Sequence, residues 1–230
     1  MSLEPFVSLL QFSDGLFPAG AYAHSFALEY YVQSGRVTDA DGVSEFIRAN
    51  LRGSVASTDA VAMLSALRGV LRSGELAEFL SLDAVMEAMK PAEELRNASR
   101  QMGRQMIRVA AAVTSHPLLE AFFMATESDS TPGHHCVCYG LIGGTERWPE
   151  YDAVAAYLYT AASAIVGAAL RLMPLGQLRG QQILWEMRPE IARLAEGAVA
   201  KPIPDMWSFV PAIEIASMLH ARLDARLFRS

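Results

Sequence analysis

The sequence predicts an all-α protein, because three of its features favour helices over sheets. Apolar residues recur at intervals of three and four along most of the 230 residues. Alternating runs of Val, Ile and Thr, which are typical of strands, are nearly absent. Apolar residues make up 52% of the chain, which is enough for a sizeable core. We therefore expect a single compact helical domain over residues 1–230, with about eight to ten helices.

Four helices are predicted before Pro91, and the first of them carries Phe26, Tyr30 and Tyr31. Thr38 and Asp41 have the spacing of a capping box, in which two side chains bond the free amides at a helix start. A helix over about 39–52 follows from this spacing, with four apolar residues on one face: Val43, Phe46, Ile47 and Leu51. Similar stripes predict helices over 58–71 and 75–89.

A longer helix is predicted between Pro91 and Pro117, because proline suits the first turn of a helix and cannot continue the helix before it. Six apolar residues form its buried stripe: Leu95, Ala98, Met102, Met106, Val109 and Val113. Arginines recur beside the stripe at every fourth position: Arg96, Arg100, Arg104 and Arg108. Like charges at this spacing repel one another weakly. The arginines therefore either dock an acidic partner or form local ion pairs on a solvated face.

Further helices are predicted over 153–170, 177–195 and 213–228. The first of these has no charged residue over 18 positions, which reaches the lower limit for crossing a bilayer. Eight of its residues are Ala, which contributes little to membrane insertion. We expect the central helix of a soluble bundle and no membrane partner. Turn-forming residues over 127–133 predict a loop, which either divides two subdomains or lies within one domain.

Composition narrows the classes of partner and the compartment. The net charge of −6 and the pI near 5.4 argue against a general nucleic-acid surface. The start, residues 1–5, lacks the pattern of an export signal, so we expect a cytoplasmic protein. Two cysteines, Cys136 and Cys138, are too few for a disulfide framework and agree with a reducing compartment.

Neither an enzyme nor a metal site is strongly indicated. The phosphate-binding loop, the serine-hydrolase elbow and the paired-histidine zinc motif are all absent, so we expect no enzymatic activity. One cluster offers the imidazole and thiolate groups that nickel and zinc prefer: His134, His135, Cys136 and Cys138. On a helix His134 and Cys138 share a face, and at least one further ligand must come from elsewhere. The alternative is that His134 begins a helix and the cysteines pack as small apolar residues.

Two blocks place turns and polar groups at points where a helical chain must change direction. Over 17–25, successive turns are expected to hold Tyr22 and His24 near the surface. Over 174–181, five residues are expected to form a turn and a helix contact: Pro174, Gly176, Gln177, Gly180 and Gln181. The proline stops the preceding helix, the glycines permit a turn and a close backbone approach, and the glutamines share one face.

Taken together, these blocks resemble the UreF family of urease accessory proteins. The resemblance covers nearly the whole chain and keeps the order of six segments: 9–11, 17–29, 102–103, 157–159, 171–184 and 215–230. The Pro-Leu-Gly-Gln sequence from Pro174, with Gly-Gln shortly after it, is fairly specific to this family. The chain departs from the family pattern at Ala27, where most members have Gly.

The resemblance implies a single UreF-like helical domain, usually dimeric, without a cofactor or a reaction of its own. It implies a scaffold that binds the accessory protein UreD/UreH, recruits the GTPase UreG and helps to insert nickel into apo-urease. The family residues that engage UreD/UreH correspond to Tyr22 and Arg226, and we expect His24, Phe228 and Arg229 to share this contact. The basic C-terminal tail is expected to order on binding. A metal-passing protein that uses the cluster from His134 to Cys138 is the alternative.

Overall fold

A computed structural model describes residues 3–230, and this part of the chain is helical with no strand. Its ten α-helices, in chain order, are α1 (Glu4–Ser13), α2 (Leu28–Gln33), α3 (Ala40–Arg72), α4 (Leu76–Met89), α5 (Glu93–Thr114), α6 (Pro117–Glu127), α7 (His135–Thr145), α8 (Glu150–Leu172), α9 (Gln177–Val199) and α10 (Pro211–His220). Short 3₁₀ turns lie at Ala21–Ala23 and Ile203–Asp205. The prediction of an all-α protein with about eight to ten helices is confirmed.

Helix α3 is continuous where the sequence predicted two helices. Its middle, Leu51–Asp59, is a π-helical segment, in which each turn holds an extra residue. The helix begins after Asp39, whose carboxylate accepts a hydrogen bond from the Gly42 amide at 2.8 Å. The predicted cap by Thr38 is therefore wrong by one residue, because Asp39 already satisfies the free amide.

The π-helical segment forms hydrogen bonds with the residues that lead into α10. The carbonyl of Gly53 accepts from the Phe209 amide at 2.8 Å, and the Thr58 hydroxyl donates to the Trp207 carbonyl at 2.6 Å. A side chain at Gly53 would lie 2.6 Å from Val210 Cγ1, which explains the glycine. This segment fixes the start of α10 and hence the direction of the C-terminal residues.

The core forms where α3 and α5 pack against α7. All residues of α7 from Cys136 to Gly144 are buried, so this helix lies at the centre of the molecule. A Cβ atom at Gly140 would lie 2.2 Å from the Met63 carbonyl oxygen, and one at Gly103 would lie 2.1 Å from the Gly133 oxygen. Glycine at these positions allows the backbones to approach more closely than any side chain permits.

Asp83 of α4 fixes the loop before α7 by hydrogen bonds. This fully buried carboxylate accepts bonds from the Thr131 hydroxyl and the Gly133 amide at 2.6 Å, and from the His134 amide at 2.8 Å. Residues on both sides of the loop belong to one hydrophobic core. The loop therefore lies against the core, as the second of the two sequence interpretations expected.

One predicted helix end differs from the observed one, and another agrees with it. Helix α5 ends at Thr114, just before Pro117 as predicted, and Pro117 itself begins α6, where the His116 side chain accepts a bond from the Leu118 amide. Helix α10 ends at His220, so the predicted helix over 213–228 is too long by eight residues at its C-terminus. The remaining residues, 221–230, fold back across α2 as an irregular segment that we call the tail.

Helices α3 and α8 are both long and apolar enough to cross a membrane by length and composition alone. In the folded molecule, 67% of an apolar 18-residue stretch of α3 is buried, and 50% of the corresponding stretch of α8 is buried. Both helices pack against several neighbours in the described chain, as core helices do.

Candidate docking surface

The tail lies on the N-terminal turn, and buried Glu29 of α2 holds it there. One carboxylate oxygen of Glu29 accepts from the Leu227 amide at 2.7 Å, and the other accepts from the Phe228 amide at 3.0 Å. The second oxygen is also 2.9 Å from His220 Nε2. Burial alone would raise the pKa of Glu29. The hydrogen bonds with His220 and the two amides outweigh burial, so the pKa of Glu29 lies below its ordinary value.

The network around Glu29 extends to Glu94 of α5. His220 Nδ1 lies 2.7 Å from the Glu94 carboxylate, so both ring nitrogens of this buried histidine lie within hydrogen-bond distance of carboxylate oxygens. Arg226 donates to the other Glu94 oxygen at 3.0 Å. This network thus joins α2, α5 and α10 to the tail.

The last residues of the chain bond the turn itself. The Ser230 carbonyl oxygen accepts from the amide and the hydroxyl of Ser25, both at 2.6 Å. The Ser230 hydroxyl lies 2.9 Å from His24 Nδ1, and the Arg229 amide donates to the Ala23 carbonyl at 2.9 Å. The tail was expected to order on binding, whereas in the structure Leu227, Phe228, Arg229 and Ser230 already bond residues of the N-terminal turn and α2.

Arg171 of α8 joins the turn to the tail from the side. Its guanidinium lies 4.3 Å from the centre of the Phe228 ring and donates to the Tyr22 carbonyl at 2.7 Å. A guanidinium over an aromatic face is attractive, particularly where water is partly excluded. Arg171 therefore sets the positions of Tyr22 and Phe228 relative to each other.

Four side chains of the turn and tail point outward and form what we call the composite surface: Tyr22, Arg226, Leu227 and Arg229. Tyr22 is 78% exposed and Leu227 is 53% exposed. His24 and Phe228 are only 3% and 4% exposed, so the expectation that His24 lies near the surface is wrong. Both support the surface from beneath, and burial together with Arg229 lowers the pKa of His24 to about 4.

The backbone beneath this surface is conformationally demanding. Ala27 precedes α2 with φ of 72°, a left-handed conformation that glycine adopts at lower cost than alanine. This explains in physical terms why a family pattern would place Gly at this position. Ala27 is also fully buried, so its methyl group contributes packing that glycine would lack.

Within the described residues, sequence reasoning missed the members that hold the surface together, namely Glu29, Glu94, Arg171 and His220. The sequence offers one signal for Glu29, because this acidic residue interrupts a run of apolar and aromatic residues between Leu28 and Tyr30. A buried carboxylate needs donors, yet no spacing rule identifies donors almost 200 residues away.

The block at 174–181 lies at the junction of α8 and α9. Pro174 follows the end of α8, and Gly176 precedes the first residue of α9 and accepts from the Gly180 amide. A Cβ atom at Gly180 would lie 3.1 Å from Val166 Cγ1, so the two helices approach closely there. Gln177 and Gln181 are exposed. Pro174, Gly176 and Gly180 thus lie at the turn and the close approach of the two helices, whereas the contact predicted for the two glutamines stays a prediction.

The arginine stripe of α5 divides into paired and unpaired members. Arg96 and Arg100 form ion pairs with Glu87, and Arg104 pairs with Asp129 at 2.8 Å. Arg108 is exposed and has no ion pair within the described chain. Three of the four arginines thus form local ion pairs, and within the described chain only the charge of Arg108 is available to a partner.

The histidine and cysteine side chains of the cluster at 134–138 pack in the core. His134 begins α7 and its ring lies within hydrogen-bond distance of Ser99 and Glu87, while Cys136 and Cys138 are buried. Burial raises the pKa of both thiols well above the ordinary value, which disfavours the thiolate that binds metal. Across residues 3–230, no three His, Cys, Asp or Glu side chains converge as ligands. The geometry thus favours the packing interpretation.

His135 lines a small, partly enclosed cavity of about 100 Å³ beside the π-helical segment. Its ring stacks on Tyr157, and Nδ1 lies 3.3 Å from the tyrosine hydroxyl. Lys90 and Asp59 form a largely buried ion pair of 2.7 Å in the same wall. Burial lowers the pKa of His135 to about 4, so this histidine is neutral at neutral pH.

The fold and the composite surface define an all-helical protein with an exposed aromatic and basic patch assembled from both ends of the chain. The family model UreF matches residues 37–188. UreF proteins of Bacillus sp. (strain TB-90) and Trichodesmium erythraeum are 30% and 31% identical, over 97% and 96% of this chain and 98% and 95% of their own length. UreF of Corynebacterium glutamicum is 30% identical over the whole of both chains. The chain belongs to the UreF family of urease accessory proteins.

Proposed function

We propose that this chain is a non-enzymatic scaffold that joins UreD/UreH to the GTPase UreG during nickel insertion into apo-urease. It would act in the cytoplasm as a homodimer. The observation that carries the proposal is the composite surface, in which the exposed side chains of Tyr22 and Arg229 line one cleft although they come from opposite ends of the chain. Membership of the family supplies the class of partner.

Physical features of this patch suit a docking site. Tyr22 presents a large ring with few rotatable bonds, and such residues are frequent anchors of protein interfaces. Its main-chain carbonyl is held by Arg171, so the ring projects from a fixed base. A surface that is ordered before binding loses less conformational entropy when a partner docks.

The test is co-purification of this chain with UreD/UreH and UreG, followed by measurement of the mass of the complex. We expect a defined complex with two copies of each protein. Tyr22→Ala is expected to weaken the affinity for UreD/UreH by about tenfold to a hundredfold, as for an interface anchor. Tyr151→Ala is the matched control, because Tyr151 is 56% exposed on α8 and lies outside the composite surface. If folded partners never associate with the wild-type chain, the proposal is wrong.

A further inference from the structure

A basic cleft of about 380 Å³ opens beside Tyr22, between the N-terminal turn, α5 and the tail. Arg104 and Arg108 line it from α5, and Arg229 lines it from the tail. Arg104 is partly neutralised by its ion pair with Asp129. Arg108 and Arg229 are exposed, and neither side chain has an ion pair within the described chain.

The other groups of the cleft do not neutralise these two arginines. Glu127 is the one carboxylate among the lining residues, against three guanidinium groups. Gln101 and Gln105 add amide groups that can donate hydrogen bonds. His24 also lines the cleft, and its lowered pKa leaves it neutral at neutral pH. The cleft is thus a local positive region on a chain whose net charge is −6.

A protein that docks on Tyr22 would cover part of this cleft. Charged groups that lose water at an interface need counter-charges, because an unpaired buried charge is costly. A guanidinium suits a carboxylate well, since its planar N–H groups match the two oxygens. The partner must therefore bring carboxylates to Arg108 and Arg229 or leave both arginines uncompensated.

We infer that this cleft receives an acidic segment of UreD/UreH, whose carboxylate side chains lie between Arg108 and Arg229. The inference rests on the proposed function, and it adds the chemical character of the segment that binds and the two residues that select it. The other three arginines of the α5 stripe have ion pairs within the chain, whereas Arg108 has none in the described residues, so its charge is available to a partner. Complementary charges at such a site speed association and exclude partners of the wrong charge.

The experiment measures the dissociation constant for UreD/UreH at low and high NaCl concentration, with the full chain and its variants. Arg108→Glu and Arg229→Glu are each expected to weaken binding about tenfold or more, because like charges then face each other. Arg108→Lys and Arg229→Lys keep the charge and should remain much closer to the wild type. Arg147→Glu is the matched control, since Arg147 is exposed, has no ion pair in the described chain and does not line the cleft. The reversals should also reduce the salt dependence of binding.

Outcomes for the inference and for the proposed function can be told apart. If the wild-type chain binds UreD/UreH but both charge reversals change the dissociation constant by less than twofold, the inference fails and the scaffold proposal stands. If the wild-type chain does not bind folded UreD/UreH at all, both fail. Circular dichroism and thermal unfolding of each variant establish that it is folded, which is expected because both arginines are exposed.

Discussion

At the residue scale, the docking surface depends on a side chain that no partner would touch. Glu29 is 1% exposed, yet its carboxylate receives the Leu227 and Phe228 amides and the His220 ring. Tyr22 and Arg226 could be selected from the sequence through the family resemblance. Glu29 could not, because its donors become neighbours only after the chain has closed.

Glu29→Gln is expected to loosen the tail. Glutamine keeps one acceptor oxygen but turns an NH₂ group towards groups that are themselves donors, so at least one main-chain amide loses its bond. We expect the free energy of unfolding to fall by about 2 to 4 kcal/mol, the range for breaking a buried charged network. Urea unfolding measures this change. Glu196→Gln changes an exposed residue of α9 that has no ion pair within residues 3–230, and it should lie within about 0.5 kcal/mol of the wild type.

At the element scale, most long helices could be predicted from their apolar residues, but the fully buried helix and the π-helical segment could not. In α5, Ala98, Met102 and Met106 of the predicted stripe are buried, whereas Val113 is 58% exposed. Helix α7 is buried on all sides from Cys136 to Gly144, so its sequence has no periodicity to detect. The π-helical segment of α3 depends on bonds to residues 207–209, which local pattern cannot reveal.

The close approach of α3 and α7 can be tested at Gly140. Gly140→Ala would place a methyl carbon 2.2 Å from the Met63 carbonyl oxygen, a backbone atom that cannot rotate away. We expect a loss of about 1 to 3 kcal/mol or more, because the two helices must move apart. Thermal and urea unfolding measure this loss.

Gly197→Ala is the matched control for that change. Gly197 is also helical, but no neighbouring atom lies within 4 Å of its added Cβ. Alanine favours helix over glycine, so this variant should be as stable as the wild type or more stable by up to about 1 kcal/mol. Equal destabilisation by both substitutions would contradict the assignment of the loss at Gly140 to the contact between α3 and α7.

At the scale of the whole molecule, the hydrophobic core and the polar network that closes the two ends follow different rules. Composition and periodicity were sufficient to predict an all-α core, since burial of apolar surface is not directional. The network around Glu29 depends on direction and distance, so the position of the tail had to be observed. The tail is consequently a part of the folded unit rather than a frayed end.

Stability should depend on pH between 6.5 and about 4 through buried histidines. His24 and His135 have an ordinary pKa of 6.5 and a folded-state pKa of about 4, so in this range the unfolded chain binds protons that the folded chain does not. Their contribution is therefore fully present above pH 6.5 and is lost as the pH falls. Each contributes a slope of up to about 1.4 kcal/mol per pH unit.

His135→Gln should flatten this dependence, because glutamine does not titrate. Urea unfolding of both proteins at several pH values gives the two slopes, and the comparison remains valid even if the variant is less stable throughout. An unchanged slope in the variant would mean that His135 takes up no proton on unfolding.

The central claim is that the tail is already seated on the N-terminal turn in the free protein, so that the composite surface exists before a partner arrives. Hydrogen–deuterium exchange of the isolated chain tests this most directly. The amides of Leu227 and Phe228, which donate to Glu29, are expected to exchange about a hundredfold or more slowly than in an unstructured peptide. Glu29→Gln should remove much of this protection. Exchange of both amides at unstructured rates in the free protein, with protection only after UreD/UreH is added, would contradict the account.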